Sequence, residues 1–367
     1  MSVTAEQHSV SSRLHAAIAK SIDAAGGWLP FDRYMALALH APALGYYASA
    51  RRPFGRWPGA GSDFVTAPEL TPLFGQALAR QVSQALLASD TDSVLEFGAG
   101  SGALADTLLD ALGTRLGRYR IVELSAALRA RQAERLARFG DRVQWLDQMP
   151  ESVAAVVLGN EVLDAMPVQL LAFDGRDWFE RGVTLDEQGE LAWSDRPTPL
   201  RPSHEAGVAP GSVTEIHLQG QAFVSTLAQA LHRGAALFID YGFPAAEYYH
   251  PQRLGGTLMC HRAHRADSEP LRDVGYKDIT AHVDFSGIAL AGQDAGLGVL
   301  GYTSQARFLL NCGLLELMQQ ADVAERALAH KLIAEHEMGE LFKVIGFAKG
   351  CTFDAIGFAA GDRSHRL

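Results

Sequence analysis

The sequence predicts an α/β protein built on a doubly wound, mostly parallel sheet. Short apolar runs, "SVLEFG", "RYRIVELS" and "RVQWLD", alternate with the amphipathic stretches "ALADTLLDAL" and "AALRARQAERLARF", and a fourth run, "VAAVVLGNE", follows directly. Alternation of this kind is the signature of parallel strands buried on both faces by helices. The first strand runs into "VLEFGAGSG", a glycine-rich turn of the sort that seats a nucleotide cofactor at the start of a helix. A further apolar strand, "AALFIDYG", and a final one, "KVIGFAKG", complete the pattern late in the chain.

Taken in order, Leu14, Ala17, Ile18 and Ile22 stand at helical spacing, and a second helical pattern in "PFDRYMALALHAPALGYY" closes at Gly45. Residues 51–69 are rich in Gly and Pro and read as a long loop, followed by a helix over residues 70–89. Residues 1–90 are thus read as N-terminal helices with a lid loop, and 91–367 as the core, with insertions at about 168–220 and 243–296. The first insertion carries three alternating segments, "VQLLAFD", "DWFERGVTL" and "ELAWSD", expected to be antiparallel. Helices are expected from Ser304 to about Gln320 and from about Val323 to Glu337, with the last two strands forming an antiparallel hairpin at the sheet edge.

Composition narrows the function. At 367 residues, 48% hydrophobic and 20% charged, the chain has material for a large core and is not disordered as a whole. A formal net charge of −10 argues against a nucleic-acid partner and leaves room for a basic substrate. Three scattered cysteines imply no disulfide framework, no apolar run is long enough to insert in a membrane, and no secretory or transit signal is evident, so the cytoplasm is the expected location. "CHRAH" lacks a fourth ligand at metal-site spacing, and no metal is expected.

The glycine turn admits two cofactors. Gly98, Gly100 and Ala103 satisfy the G-x-G-x-x-A fingerprint, and Glu123 ends the next strand, so a nicotinamide dinucleotide is formally matched. Glu96, just ahead of the first glycine, would repel a pyrophosphate. S-adenosyl-L-methionine carries an ammonium and a ribose and no phosphate; close backbone approach at Gly98, Gly100 and Gly102, with Glu96 and Glu123 as acids, suits it better. Asp147 either faces the adenine amino group or caps a turn. In "GSDFVTAPEL", Asp63, Thr66 and Glu69 either face the cofactor from a lid or open a helix, and both readings hold together.

The fourth strand ends in "LGNEVLDAMPV", at the crevice where such sheets bind ligands. Asn160, Glu161 and Asp164 there either cap the next helix or hold a cationic nucleophile, with Glu161 and Asp164 gripping a guanidinium. His282 and Asp284 in "AHVDFS", two residues apart on one face of an expected strand, are read as a proton acceptor and its orienting acid, or as structural residues.

"EFGAGSG" resembles the acid-x-G-x-G-x-G turn of class I methyltransferases, Rossmann-like folds whose seven-stranded sheet ends in an antiparallel strand. Together with "GSDFVTAPEL", "VELS", "NEVLDAMPV", "FIDYG", "AHVDFS", "GYTSQARFLLN" and "EMGELFKV", in unbroken order from about Leu44 to Gly350, it resembles the successive motifs of the MidA family. The family comprises mitochondrial complex I assembly methyltransferases and their bacterial relatives. The resemblance implies binding of S-adenosyl-L-methionine and protein-arginine methylation to symmetric dimethylarginine, on a core subunit of respiratory complex I or on another protein. Carried over by motif, Gly98, Gly100, Gly102 and Glu123 contact cofactor, and Asn160, Glu161, His282 and Asp284 line the substrate side. A cofactor-binding assembly chaperone without essential catalysis stands as the alternative, ahead of a nicotinamide oxidoreductase.

Overall fold

A computed structural model describes residues 5–48 and 65–367. The main sheet contains β1 (Ser93–Phe97), β2 (Arg118–Val122), β3 (Val143–Leu146), β4 (Val153–Asn160), β5 (Leu231–Phe243), β6 (Gly298–Ser304) and β7 (Phe342–Lys349). Their spatial order is β3-β2-β1-β4-β5-β7-β6. The first five in that row are parallel, and β7 runs antiparallel to both β5 and β6. This is the class I methyltransferase fold. The chain steps one way from β1 to β3 and the other way from β4 to β5, so the sheet reverses direction between β1 and β4. A crevice opens there, at the carboxyl ends of the strands.

Burial explains why the strands read as unbroken apolar runs. Every residue of β1 is buried, β4 is buried almost throughout, and β5 is buried from Gly234 to Asp240. One face carries Leu95, Val157, Phe238, Leu227 and Ile288, and the other carries Val94, Val156, Leu237, Leu104 and Val82.

Three expectations are corrected. β6 was not anticipated, because "GVLGYTS" is interrupted by glycine and lacks an unbroken apolar run. The last strand inserts between β5 and β6, so the edge belongs to β6, and helices rather than a hairpin join the two. The single helix expected over Ser304 to Gln320 is two, Gln305–Asn311 and Leu314–Gln320, since Gly313 between them adopts φ +79°.

The first insertion is antiparallel, as expected: Gln169–Phe173, Trp178–Leu185 and Leu191–Pro197 form a sheet completed by Val213–Ile216 and by Leu29–Pro30 from the N-terminal region. The second insertion adds a small sheet of Met259–Arg262, Arg265–Asp267 and Asp278–Thr280. Leu14, Ile18, Phe31 and Tyr34 of the N-terminal helices share one core with Val168 and Val183 of the first insertion and Ile279 of the second. The helix Pro72–Ser89 packs instead into the main core through Phe74, Val82 and Leu86. Among the described residues no helix is long and apolar enough to cross a membrane.

Candidate active site

A cavity of about 1090 Å³ lies over the β1/β4 crevice. The glycine turn forms its floor on one side. Gly98 and Gly100 adopt φ +64° and +54°, where a side chain is strained, and a Cβ on Gly98 would stand 2.7 Å from Val162 Cγ2. Glu96 lines the cavity, fully buried, and accepts the Tyr119 hydroxyl at 2.7 Å. Burial raises its pKa to about 7, against the opposing Tyr119 hydrogen bond. Glu123 also lines the cavity; one oxygen accepts the Ser125 N–H at 2.8 Å and the other the Gln132 amide at 3.0 Å. Two acceptor positions of that carboxylate are used, and a carboxylate has about four. The same Gln132 amide donates to the Gly100 carbonyl at 3.0 Å, tying the second strand's acid to the turn.

Thr66 and Glu69 both line the cavity. Thr66 precedes the short helix Ala67–Leu70 without a side-chain capping bond, and Glu69 accepts from the Ser101 hydroxyl, which ties this helix to the glycine turn. Asp63 lies outside the described residues.

Opposite the turn, the cavity wall is acidic. Glu161 follows β4 with φ +54°, a left-handed conformation that costs a non-glycine residue energy and often marks a functional turn. Asp240, inside β5 three residues before its end, holds that turn: one of its oxygens accepts the backbone N–H groups of Val162, Leu163 and Asp164 at 3.1, 2.9 and 3.2 Å. Glu161 accepts the Asn160 amide at 3.0 Å, and Asp164 accepts the Tyr241 hydroxyl. The second insertion contributes Asp278, whose oxygens both accept the Tyr47 hydroxyl, at 2.8 and 2.9 Å. Among the described residues Asn160 Oδ1 and Asp164 Oδ1 are buried without a partner, and Glu161, Asp164, Asp278 and Asn160 all line the cavity.

Crowding of these acids shows in their proton affinities. Burial first, then Asp164, raises the Glu161 pKa to about 8, and burial raises that of Asp164 to about 6. Asp240 is pushed well above the usual carboxylate range by burial and by the charges of Asp164 and Glu161. A carboxylate whose folded pKa is raised is stabilising while protonated and loses that advantage as pH rises from the unfolded value through the folded one. The ligand-free protein is therefore expected to lose thermal stability between about pH 5 and 8, by up to about 1.4 kcal/mol per pH unit for each proton lost. Differential scanning calorimetry across that range checks it, and Glu161→Gln should flatten the slope.

Three expected site residues are displaced. Gly102 caps the helix Ala103–Leu112 at φ +82° and lies behind the turn rather than on the cavity wall. Asp147 is exposed and pairs with Arg129 at 2.9 Å, away from the cavity. Asp284 does not orient His282. "AHVDFS" is a strand for only two residues, and Asp284 then caps the helix Phe285–Asp294, accepting the Gly287 N–H at 3.1 Å and the Tyr249 hydroxyl at 3.2 Å. His282 does reach the cavity, with its ring 5.1 Å from that of Tyr241. Burial, then Arg253 and Lys343, lowers its pKa to about 4. His261 also lines the cavity. Among the described residues no three His, Cys, Asp or Glu side chains are grouped to hold a metal ion.

A family model of S-adenosyl-L-methionine-dependent methyltransferases matches residues 77–303, more than half of the chain. The chain belongs to this family. A crystal structure of a Burkholderia thailandensis protein bound to S-adenosyl-homocysteine is 50% identical over the whole of both chains, with a TM-score of 0.96. A native crystal structure from the same organism is 49% identical, again over both whole chains, at 0.91. Among curated relatives, the mitochondrial protein arginine methyltransferase NDUFAF7 of Danio rerio is 28% identical, covering 87% of this chain and 83% of that protein. The human protein of the same name is 26% identical over 86% of this chain and 79% of its own. The family and its MidA-type relatives bear out the resemblance: the protein is an S-adenosyl-L-methionine-dependent methyltransferase of the MidA family.

Proposed function

We propose that the protein is a protein-arginine N-methyltransferase that forms symmetric dimethylarginine on a subunit of respiratory complex I or on another protein. The acidic wall carries the reading: Glu161, Asp164 and Asp278 line one chamber with Asn160, and two buried acceptor atoms there have no partner among the described residues. A planar cation with several N–H donors matches that need, and a guanidinium is such a cation. The arginine methyltransferases among the relatives support the same choice.

On this reading Gly98 and Gly100 let the backbone approach the cofactor closely, Glu123 receives the ribose hydroxyls and Glu96 faces the ammonium. When bound, S-adenosyl-L-methionine supplies an electrophilic methyl group on its sulfonium. The protein's work is to aim the acceptor and leave one nitrogen lone pair free. Glu161 and Asp164 accept from the guanidinium N–H groups and draw its positive charge away from the attacking nitrogen. Asn160 Oδ1 fixes the remaining direction. The nitrogen must shed a proton, and the raised basicity of Glu161 makes it a better acceptor than His282, whose lowered pKa leaves a weak base. The role first expected of the histidine passes to the acid.

A guanidinium binds the ionised wall best, so its affinity should rise as pH increases through the range from 6 to 8. The test is isothermal titration of methylguanidine and of methylammonium into protein saturated with S-adenosyl-homocysteine. Tighter binding of methylguanidine, strengthening with pH, is expected; equal binding of the two cations overturns the arginine reading.

A further inference from the structure

Beside the acidic chamber stands an unbalanced cluster of the opposite sign. The ring of Phe243, at the end of β5, has the Arg253 guanidinium 4.7 Å, the Lys343 ammonium 5.6 Å and the His282 ring 5.3 Å from its centre. Cations gather readily over an aromatic face, yet the charges of Arg253 and Lys343 repel each other unless an anion compensates them, and the neutral imidazole of His282 adds an N–H donor rather than a third charge.

The nearby carboxylates are already engaged. Glu340 pairs with Arg363 and lies 4.0 Å from Lys343, whose ammonium donates to the backbone carbonyls of Glu340 and Leu341. Glu247 pairs with Arg366. Arg253 makes no ion pair among the described residues, although the chain as a whole carries a formal charge of −10. Among the described residues, its Nε and the Nδ1 of His282 are both buried without a hydrogen-bond partner. The cluster adjoins the chamber directly, because His282, Leu341 and Phe342 line the chamber wall.

We propose that Arg253 and His282, backed by Lys343, form a subsite for a carboxylate carried by the substrate polypeptide, an Asp or Glu side chain close in sequence to the methylated residue. The proposal rests on the arginine reading above. It adds that the enzyme recognises a pair of opposite charges, the guanidinium in the acidic chamber and the acid over Phe243. Of the two sources of a carboxylate, a polypeptide side chain and the α-carboxylate of free arginine, the polypeptide is the one proposed.

Peptides blocked at both ends, with one arginine in a glycine background and one Asp placed one to four residues to either side, provide the test. Their binding to the protein saturated with S-adenosyl-homocysteine is read by fluorescence anisotropy. The best Asp position should bind about 10-fold tighter than its Asn counterpart at low salt, and the preference should shrink as salt is added. Arg253→Gln should reduce it to within about twofold while leaving binding of the all-glycine arginine peptide unchanged. No preference for Asp in the wild type, or the same preference in Arg253→Gln, overturns the proposal. So does a preference confined to N-acetylarginine over its amide, which would assign the subsite to a small molecule. Replacing the peptide arginine by lysine separates the two readings. If lysine binds equally well the arginine reading fails, while the difference between Asp and Asn still reports on Arg253.

Discussion

Glu161→Gln is expected to slow methyl transfer by at least about 100-fold while leaving S-adenosyl-homocysteine binding within about twofold of wild type. The size of the effect follows from the role proposed for the carboxylate. Losing the charge at a buried site that grips a cation removes a charge-assisted hydrogen bond and leaves the cation's charge under-compensated, a combination worth about 2–5 kcal/mol. The glutamine keeps the shape, so the turn held by Asp240 survives and the Asn160 amide keeps an acceptor. Asp164→Asn should behave similarly, with a smaller loss if the Tyr241 hydroxyl continues to donate to it. Steady-state kinetics on an unmethylated arginine peptide, with titration of S-adenosyl-homocysteine alongside, separates the two sites. A Glu161→Gln protein that transfers methyl groups at the wild-type rate would remove the acid from catalysis. Loss of cofactor binding in the same variant would instead place Glu161 on the cofactor side.

How much of this was legible in the sequence depends on whether a residue's role is local. The alternation of apolar strands with amphipathic helices specifies the sheet, because burial on both faces leaves its mark on every residue of a strand. The glycines at 98 and 100 are equally legible, since a turn needing positive φ leaves few alternatives. Glu161 and Asp164 were singled out from position alone, at the end of β4. The partners that complete the acidic wall were not. Asp278 comes from the second insertion and Tyr47 from the segment after the N-terminal helices, 231 residues apart, and nothing local in either stretch announces their contact. Asp240 was visible as an acid ending an apolar strand, yet its task of holding the backbone at 162–164 depends on β4 and β5 being neighbours. The His282 and Asp284 pairing failed for a local reason: the expected strand gives way to a helix at Phe285, and a helix start claims an aspartate as its cap.

Gly98→Val is expected to lower affinity for S-adenosyl-L-methionine by more than about 100-fold, the effect combining backbone strain with lost approach. At φ +64° a β-branched residue is forced into a conformation it rarely adopts, at a cost of about 1–3 kcal/mol. The added Cβ also meets Val162 Cγ2 at 2.7 Å, so either the glycine turn or the segment after Glu161 must move. Because Val162 directly follows Glu161, the displacement reaches the acidic wall as well, and substrate binding should weaken together with cofactor binding. That coupling gives the prediction its discriminating test. Val162→Ala should restore part of the substrate affinity lost in Gly98→Val by making room at the contact, while cofactor affinity recovers less, since the strain at φ +64° remains. Isothermal titration of both ligands in the single and double variants reads the two terms separately, with thermal melts confirming that each variant is folded. Full recovery of cofactor binding in the double variant would show that the steric contact, and not the left-handed turn, accounts for the glycine.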